Sequence, residues 1–148
     1  MKSSKPFIIC IAFIFLQNFA FAQNKSYVSS RNVVTKANGL STNVTNQKTM
    51  YIEIYVDKTC DGYDCGRINI ADGPMHTGKP INFEGFRIYS VKLKDDGIYN
   101  YWTVDVAADG QIVLFQVDNN SAISTITMHR YAPGQESKVL KSIVYYLD

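Results

Sequence analysis

The sequence has almost no surplus of charge. Its 15 basic residues outnumber its 13 acidic ones by two, and Lys2 and Lys5 account for that excess at the very start of the chain. Without them the balance is zero, which argues against a nucleic-acid binder held by bulk charge. Long hydrophobic runs are scarce too. Phe7 to Leu16 is the conspicuous one, and ten residues are about half of what a membrane-spanning helix needs. Basic residues precede this run and Ala20-Phe21-Ala22 follows it. That order reads as a secretory signal peptide over residues 1–22, cut before Gln23. The expectation is a single secreted β domain over 23–148, secreted or periplasmic, with no membrane span after cleavage.

Cysteine is sparse. Of three cysteines, Cys10 lies in the leader. Cys60 and Cys65 remain, within Cys-Asp-Gly-Tyr-Asp-Cys. In an oxidising compartment this spacing is expected to form one local disulfide. The ring is short, so its entropic contribution is about 2 kcal/mol. It is not the Cys-x-x-Cys spacing of a redox pair. A zinc site would need both histidines, His76 and His129, as its further ligands. Asp57, Asp61 and Asp64 around the same loop offer hard oxygens for calcium, but they lack the EF-hand spacing, and Asp and Gly are ordinary turn residues. No metal is expected.

Enzyme signatures are also missing. There is no nucleophile elbow, no zinc-protease helix motif and no phosphate-binding glycine loop. Beyond the leader the glutamates are only Glu53, Glu84 and Glu136, and no spacing marks a glycosidase pair. His76 with Asp72, or His129 with Asp105, are the base–carboxylate combinations on offer. Isolated histidines are more often structural, so neither catalysis nor a cofactor is expected.

What the chain does have is tyrosine and β patterning. All ten tyrosines lie beyond the leader, beside a single tryptophan, Trp102. A strand is predicted around Tyr27 to Lys36, then a turn at Asn38-Gly39 and a weak strand to Gln47. Met50, Ile52, Ile54 and Val56 alternate with polar or tyrosine neighbours and predict another strand. A short one follows at Arg67 to Ala71. Residues 72–85 carry no pattern. Residues 86–130 read as a four-stranded antiparallel meander. Two Asp-Gly pairs, Asp96-Gly97 and Asp109-Gly110, suit two-residue hairpin turns. Such turns would place Val91 opposite Trp102, and Trp102 opposite Val117, burying the indole in an apolar face. They would also set Tyr89 opposite Val104 and Phe115 opposite Val104. Asn119-Asn120 would make a third tight turn. Residues 138–147 fit either a closing strand or a C-terminal helix, with Val, Ile and Tyr favouring the strand. The fold class expected is all-β: an antiparallel meander closing into a small barrel or sandwich, possible helix included.

The same register sets Tyr99 opposite Lys94 and Tyr101 opposite Lys92 on the outer face. Aromatic rings among lysines suit a glycan, peptide or protein ligand, and they also suit a plain solvent face with lysine stems over rings. The leading functional expectation is an exported non-enzymatic binding or interaction module, with Tyr99, Tyr101, Lys92 and Lys94 as ligand-binding residues. Two alternatives stand beside it. One is a lipocalin-like carrier holding a small ligand inside a barrel. The other is a hydrolase inhibitor presenting the 60–65 disulfide loop, whose rigidity would lower the entropic cost of binding.

Overall fold

The computed structural model describes residues 23–57, 65–79, 81–108 and 110–148, the side chains of 23 and 43–48 excepted. Residues 1–22, expected to be a leader, and Cys60, Asp61, Asp64 and Asp109 lie outside the described residues. Eight strands follow in chain order: β1 (Gln23–Lys36), β2 (Ser41–Val56), β3 (Gly66–Ala71), β4 (Phe83–Leu93), β5 (Tyr99–Asp105), β6 (Ile112–Asp118), β7 (Thr125–Ala132) and β8 (Gln135–Tyr146). Each pairs antiparallel with its sequence neighbour, and β1 pairs with β8, closing an up-and-down barrel. The residues 138–147 that suited helix or strand alike belong to β8. Closure decides it: β8 bonds to β7 on one side and β1 on the other.

β1 makes closure work by serving two partners. Its first half lies against residues 50–56 of β2, and its second half against residues 41–45 of β2 and 141–146 of β8. A register shift between Ser29 and Arg31 separates the halves. Such bulges bend and twist a strand, as the corner of a small barrel requires. The Ser29 hydroxyl, fully buried there, donates to the Arg31 carbonyl oxygen at 2.9 Å.

The interior is mostly solid. Ile52, Ile54, Ile68, Phe86, Ile88 and Phe115 are fully buried, and the Phe86 and Phe115 rings meet edge to face at 4.9 Å. Each such side chain contributes about 1.5–3 kcal/mol by leaving water. Thr103, also fully buried, keeps its hydroxyl satisfied by donating to the Val113 carbonyl oxygen at 2.8 Å. Gly66 has φ of 145°, and a Cβ there would overlap the Tyr55 carbonyl oxygen.

The meander over 86–130 is present, but its register corrects the one expected. Trp102 pairs with Ser90 and Leu114, not with Val91 and Val117, and its indole faces outward against the Tyr131 ring at 5.8 Å. Tyr101 takes the inward place, opposite Val91 and Phe115, with 1% of its surface exposed. The cause is turn chemistry. A two-residue type I′ turn needs positive φ at both central residues. Among the described non-glycine residues only His76 has positive φ, so Asp96 does not adopt it, whereas Gly97 does at 80°. The Lys94 N–H donates to the Ile98 carbonyl, the Gly97 N–H to the Lys94 carbonyl, and the Ile98 N–H to Asp96 Oδ1. That is a three-residue loop ending on a left-handed glycine. It shifts the pairing by one residue and turns β5 over. The second hairpin is longer as well: Asp105 N–H meets the Gln111 carbonyl, leaving five residues in the loop. The third connection spans 119–124, longer than a tight turn at Asn119-Asn120, and it pairs Val117 with Ile126.

Candidate functional site

One end of the barrel is not filled. Asp72 and Asn82 of the β3–β4 connection and Val106 and Ala107 after β5 border a half-open cavity of about 1070 Å³ there, which also reaches the outer face of β3–β4 at Asn69, Phe83 and Arg87. Inward positions of five strands build its apolar wall: Met50, Ile70, Phe86, Met128, Ile143 and Tyr145. Alternation along each strand carries the wall outward into charge. Two residues beyond Phe86 lies Glu84, and two beyond Met128 lies Arg130. Two beyond Ile143 lies Lys141, while Asp105 faces Phe86 across β4–β5.

Arg130 organises this charged layer. Its Nη1 donates to Asp105 Oδ2 at 2.6 Å and its Nη2 to Glu84 Oε2 at 2.7 Å. The guanidinium carbon sits 5.3 Å from the centre of the Phe86 ring, a cation–π distance. Asp105 also accepts from the Ala107 N–H at 2.9 Å, capping the loop that follows it. Burial opposes ionisation of Asp105, but the Arg130 hydrogen bond, the Ala107 N–H and the Arg130 charge together hold its carboxyl below the usual range. Deeper in, burial pushes the Tyr145 phenol far above its ordinary value. Glu84 adds to that push and Arg130 opposes it. Asn32, on the inner wall opposite Tyr145, is 8% exposed, and its Oδ1 has no hydrogen-bond partner among the described residues. The cavity therefore offers apolar contact at depth and fixed polar groups near the mouth, the arrangement of a small-molecule site.

The residues singled out from sequence are placed elsewhere. Tyr99 and Tyr101 do project the same way, with rings 6.2 Å apart, but they point into the opposite end of the barrel. Lys25 Nζ lies 5.2 Å over the Tyr99 ring there. Burial, with Tyr27 and Tyr99 close by, raises the Tyr101 phenol well above its ordinary value. Lys92 pairs in register with Asn100 and is exposed, and Lys94 is exposed with its ammonium 3.1 Å from Asp96. The four thus do not share an outer strip, because the one-residue shift puts rings and lysines on different faces. Cys65 is buried at 3%, whereas its expected partner Cys60 lies outside the described residues.

The two histidine–carboxylate combinations are not assembled as bases. His76 Nε2 lies 3.3 Å from Glu53 Oε2, and Asp72 accepts from both nitrogens of Asn82. His129 stands on the outer wall, away from the inward Asp105. Its Nδ1 is 2.8 Å from the Ser142 hydroxyl and its Nε2 is 3.0 Å from Gln116 Oε1. Gln116 in turn donates to Asn100 at 3.2 Å, so a polar chain crosses β8, β7, β6 and β5.

Sequence reasoning missed the cavity residues. Glu84, Asp105, Arg130 and Lys141 come from four different strands, and only the closed barrel turns all four toward one opening. One signal was available: a charged residue two positions from a buried apolar one, at the same end of several strands. Comparisons with family models, with curated proteins and with solved structures found no match for this chain.

Proposed function

We propose that this chain is an exported binding protein that carries a small, partly apolar ligand in the cavity at one end of its barrel. The observation that carries the reading is the cavity of about 1070 Å³, walled by Met50, Ile70, Met128 and Ile143 beneath a fixed charged layer. Its volume suits one small ligand at the mouth of an eight-stranded barrel, whose middle is otherwise packed. The outer wall supports work in water: Glu53, Arg67, Arg87, Gln116 and His129 point out mid-barrel, the reverse of a wall facing lipid.

The export half of the proposal rests on the leader over 1–22 and places the protein outside the cell or in the periplasm. The Cys60–Cys65 disulfide belongs to the same half. Cys65 is anchored at the start of β3, where its N–H donates to Ile88 and its carbonyl accepts from Asp57. Cys65 stands at the end of β3 away from Ile70 and the cavity, so a bond there braces the wall without touching the ligand.

The test uses mature protein and N-phenyl-1-naphthylamine, a neutral dye that brightens in apolar surroundings. Saturable brightening is expected at one dye per chain. Met128→Trp, which fills the cavity, is expected to abolish it while the circular dichroism spectrum is kept. Equal dye binding by the filled variant would refute the site. Exported protein is expected to have an intact mass that begins at Gln23.

A further inference from the structure

The cations at the cavity mouth are not balanced one by one. Arg130, Lys141 and Lys36 are register neighbours across β7, β8 and β1, forming one row of three positive side chains. They lie two residues beyond the inward Met128, Ile143 and Val34; Arg130 and Lys141 line the cavity, and Lys36, exposed, stands one strand beyond its lining. Like charges placed directly opposite each other across a sheet are destabilising. Arg130 is relieved by Asp105 and Glu84. Among the described residues no carboxylate lies within 4.0 Å of the Lys141 or the Lys36 ammonium. Arg67 and Arg87 face each other across β3–β4 on the outer wall, where the cavity opens onto the surface, and are not part of this inward row. Asp72 is the one further carboxylate on the lining. Among the described residues Lys141 and Lys36 are thus the inward-row cations without a carboxylate beside them.

A row of unrelieved cations has a cost in the empty protein and a use only when an anion arrives. We infer that the ligand, on the carrier reading above, is an anionic amphiphile. Its single negative headgroup sits between Lys141 and Lys36, and its aliphatic body lies against Met50, Ile70, Met128 and Ile143. Arg130 does not serve the headgroup, because its guanidinium is already held by two carboxylates. The headgroup is a carboxylate, sulfate or phosphate monoester, which share the same charge-assisted hydrogen bonding to ammonium groups. The body is a single chain, since the floor of Phe86 and Tyr145 closes the recess before the packed middle of the barrel.

The test is displacement of N-phenyl-1-naphthylamine from the mature protein by three ten-carbon compounds: decanoate, decanol and decyltrimethylammonium. Decanoate is expected to displace the dye at about tenfold lower concentration than the other two, the gain from one charge-assisted contact. The double variant Lys36→Gln, Lys141→Gln is expected to remove that preference and to leave decanol unchanged. Its melting temperature without ligand is expected to hold or rise, because a repulsion has been removed; a purely structural role for the lysines would lower it. Displacement by all three compounds alike, or best by the cation, overturns the headgroup assignment and leaves the carrier reading standing. Failure of all three to displace the dye overturns both. Binding to phosphatidylglycerol vesicles without binding of decanoate overturns it in favour of a membrane surface.

Discussion

Gly66 has less room for a side chain than any other glycine among the described residues. Its φ lies where L side chains are rarely found, and a methyl group would meet the Tyr55 backbone. Gly66→Ala is therefore expected to cost at least about 2 kcal/mol, combining an unfavourable backbone state with a clash. Urea unfolding of the two proteins, compared at midpoint, checks this. His129 supplies a second residue-level expectation. Burial lowers its pKa below the ordinary 6.5. Between that folded value and 6.5 the unfolded chain binds more protons than the folded one, so stability rises with pH. The contribution is complete above 6.5 and is lost as pH falls through 6.5 toward the folded value. Melting temperatures measured from pH 8 to 5.5 are expected to fall less steeply in His129→Gln than in the parent. Nothing in the sequence marks His129 as half-buried, because its burial comes from Gln116 and Ser142 on neighbouring strands.

Strands were legible where one face is plainly apolar, and ambiguous where both are. In β2, Ile52 and Ile54 alternate with Glu53 and Tyr55, and the inward face was evident before any pairing. In β5 one face carries Tyr99, Tyr101 and Thr103 and the other Trp102 and Val104. Either can be core, so only the turn decides, and two turn types satisfy Asp-Gly. The longer loop is the one the chain uses twice. Lys36-Ala37-Asn38-Gly39-Leu40 and Lys94-Asp95-Asp96-Gly97-Ile98 make the same turn. In both, the residue before glycine accepts the N–H of the residue after it, and the lysine closes the loop with both backbone groups. Which face won has an energetic signature. Tyr101→Ala is expected to cost about 3–5 kcal/mol, as for a large buried aromatic. Trp102→Ala, on the outer wall against Tyr131, is expected to cost about 1–2 kcal/mol, the lost ring pair and partial burial. Chemical denaturation of both variants tests the order, and a larger loss for Trp102 would restore the two-residue turn.

At the scale of the whole barrel, sequence order was enough to foresee a meander that closes and not enough to choose a barrel over a sandwich. Closure depends on residues 31–36 meeting residues 141–146, and no local pattern states a pairing so distant. The cavity is a consequence of closure as well, since its wall joins β2, β3, β4, β7 and β8. Removing residues 141–148 takes away Ile143, Tyr145 and the whole β1–β8 ladder. The shortened chain is expected to lose its cooperative thermal transition and its dye binding together. A sharp transition in that variant would mean that seven strands suffice as an open sheet.

The double pairing of β1 also sets an order in time. β1 is made before the other strands described and is completed after them, because a third of its register partners lie at 141–146. Until residue 146 is free to move, the segment 31–36 keeps one row of backbone groups unmatched, an edge open to any other extended chain. Local hairpins form early and this long-range ladder late, after the entropy of a loop of roughly a hundred residues has been overcome. A chain whose residues 141–146 are not yet free to pair therefore has its hairpins but not its cavity.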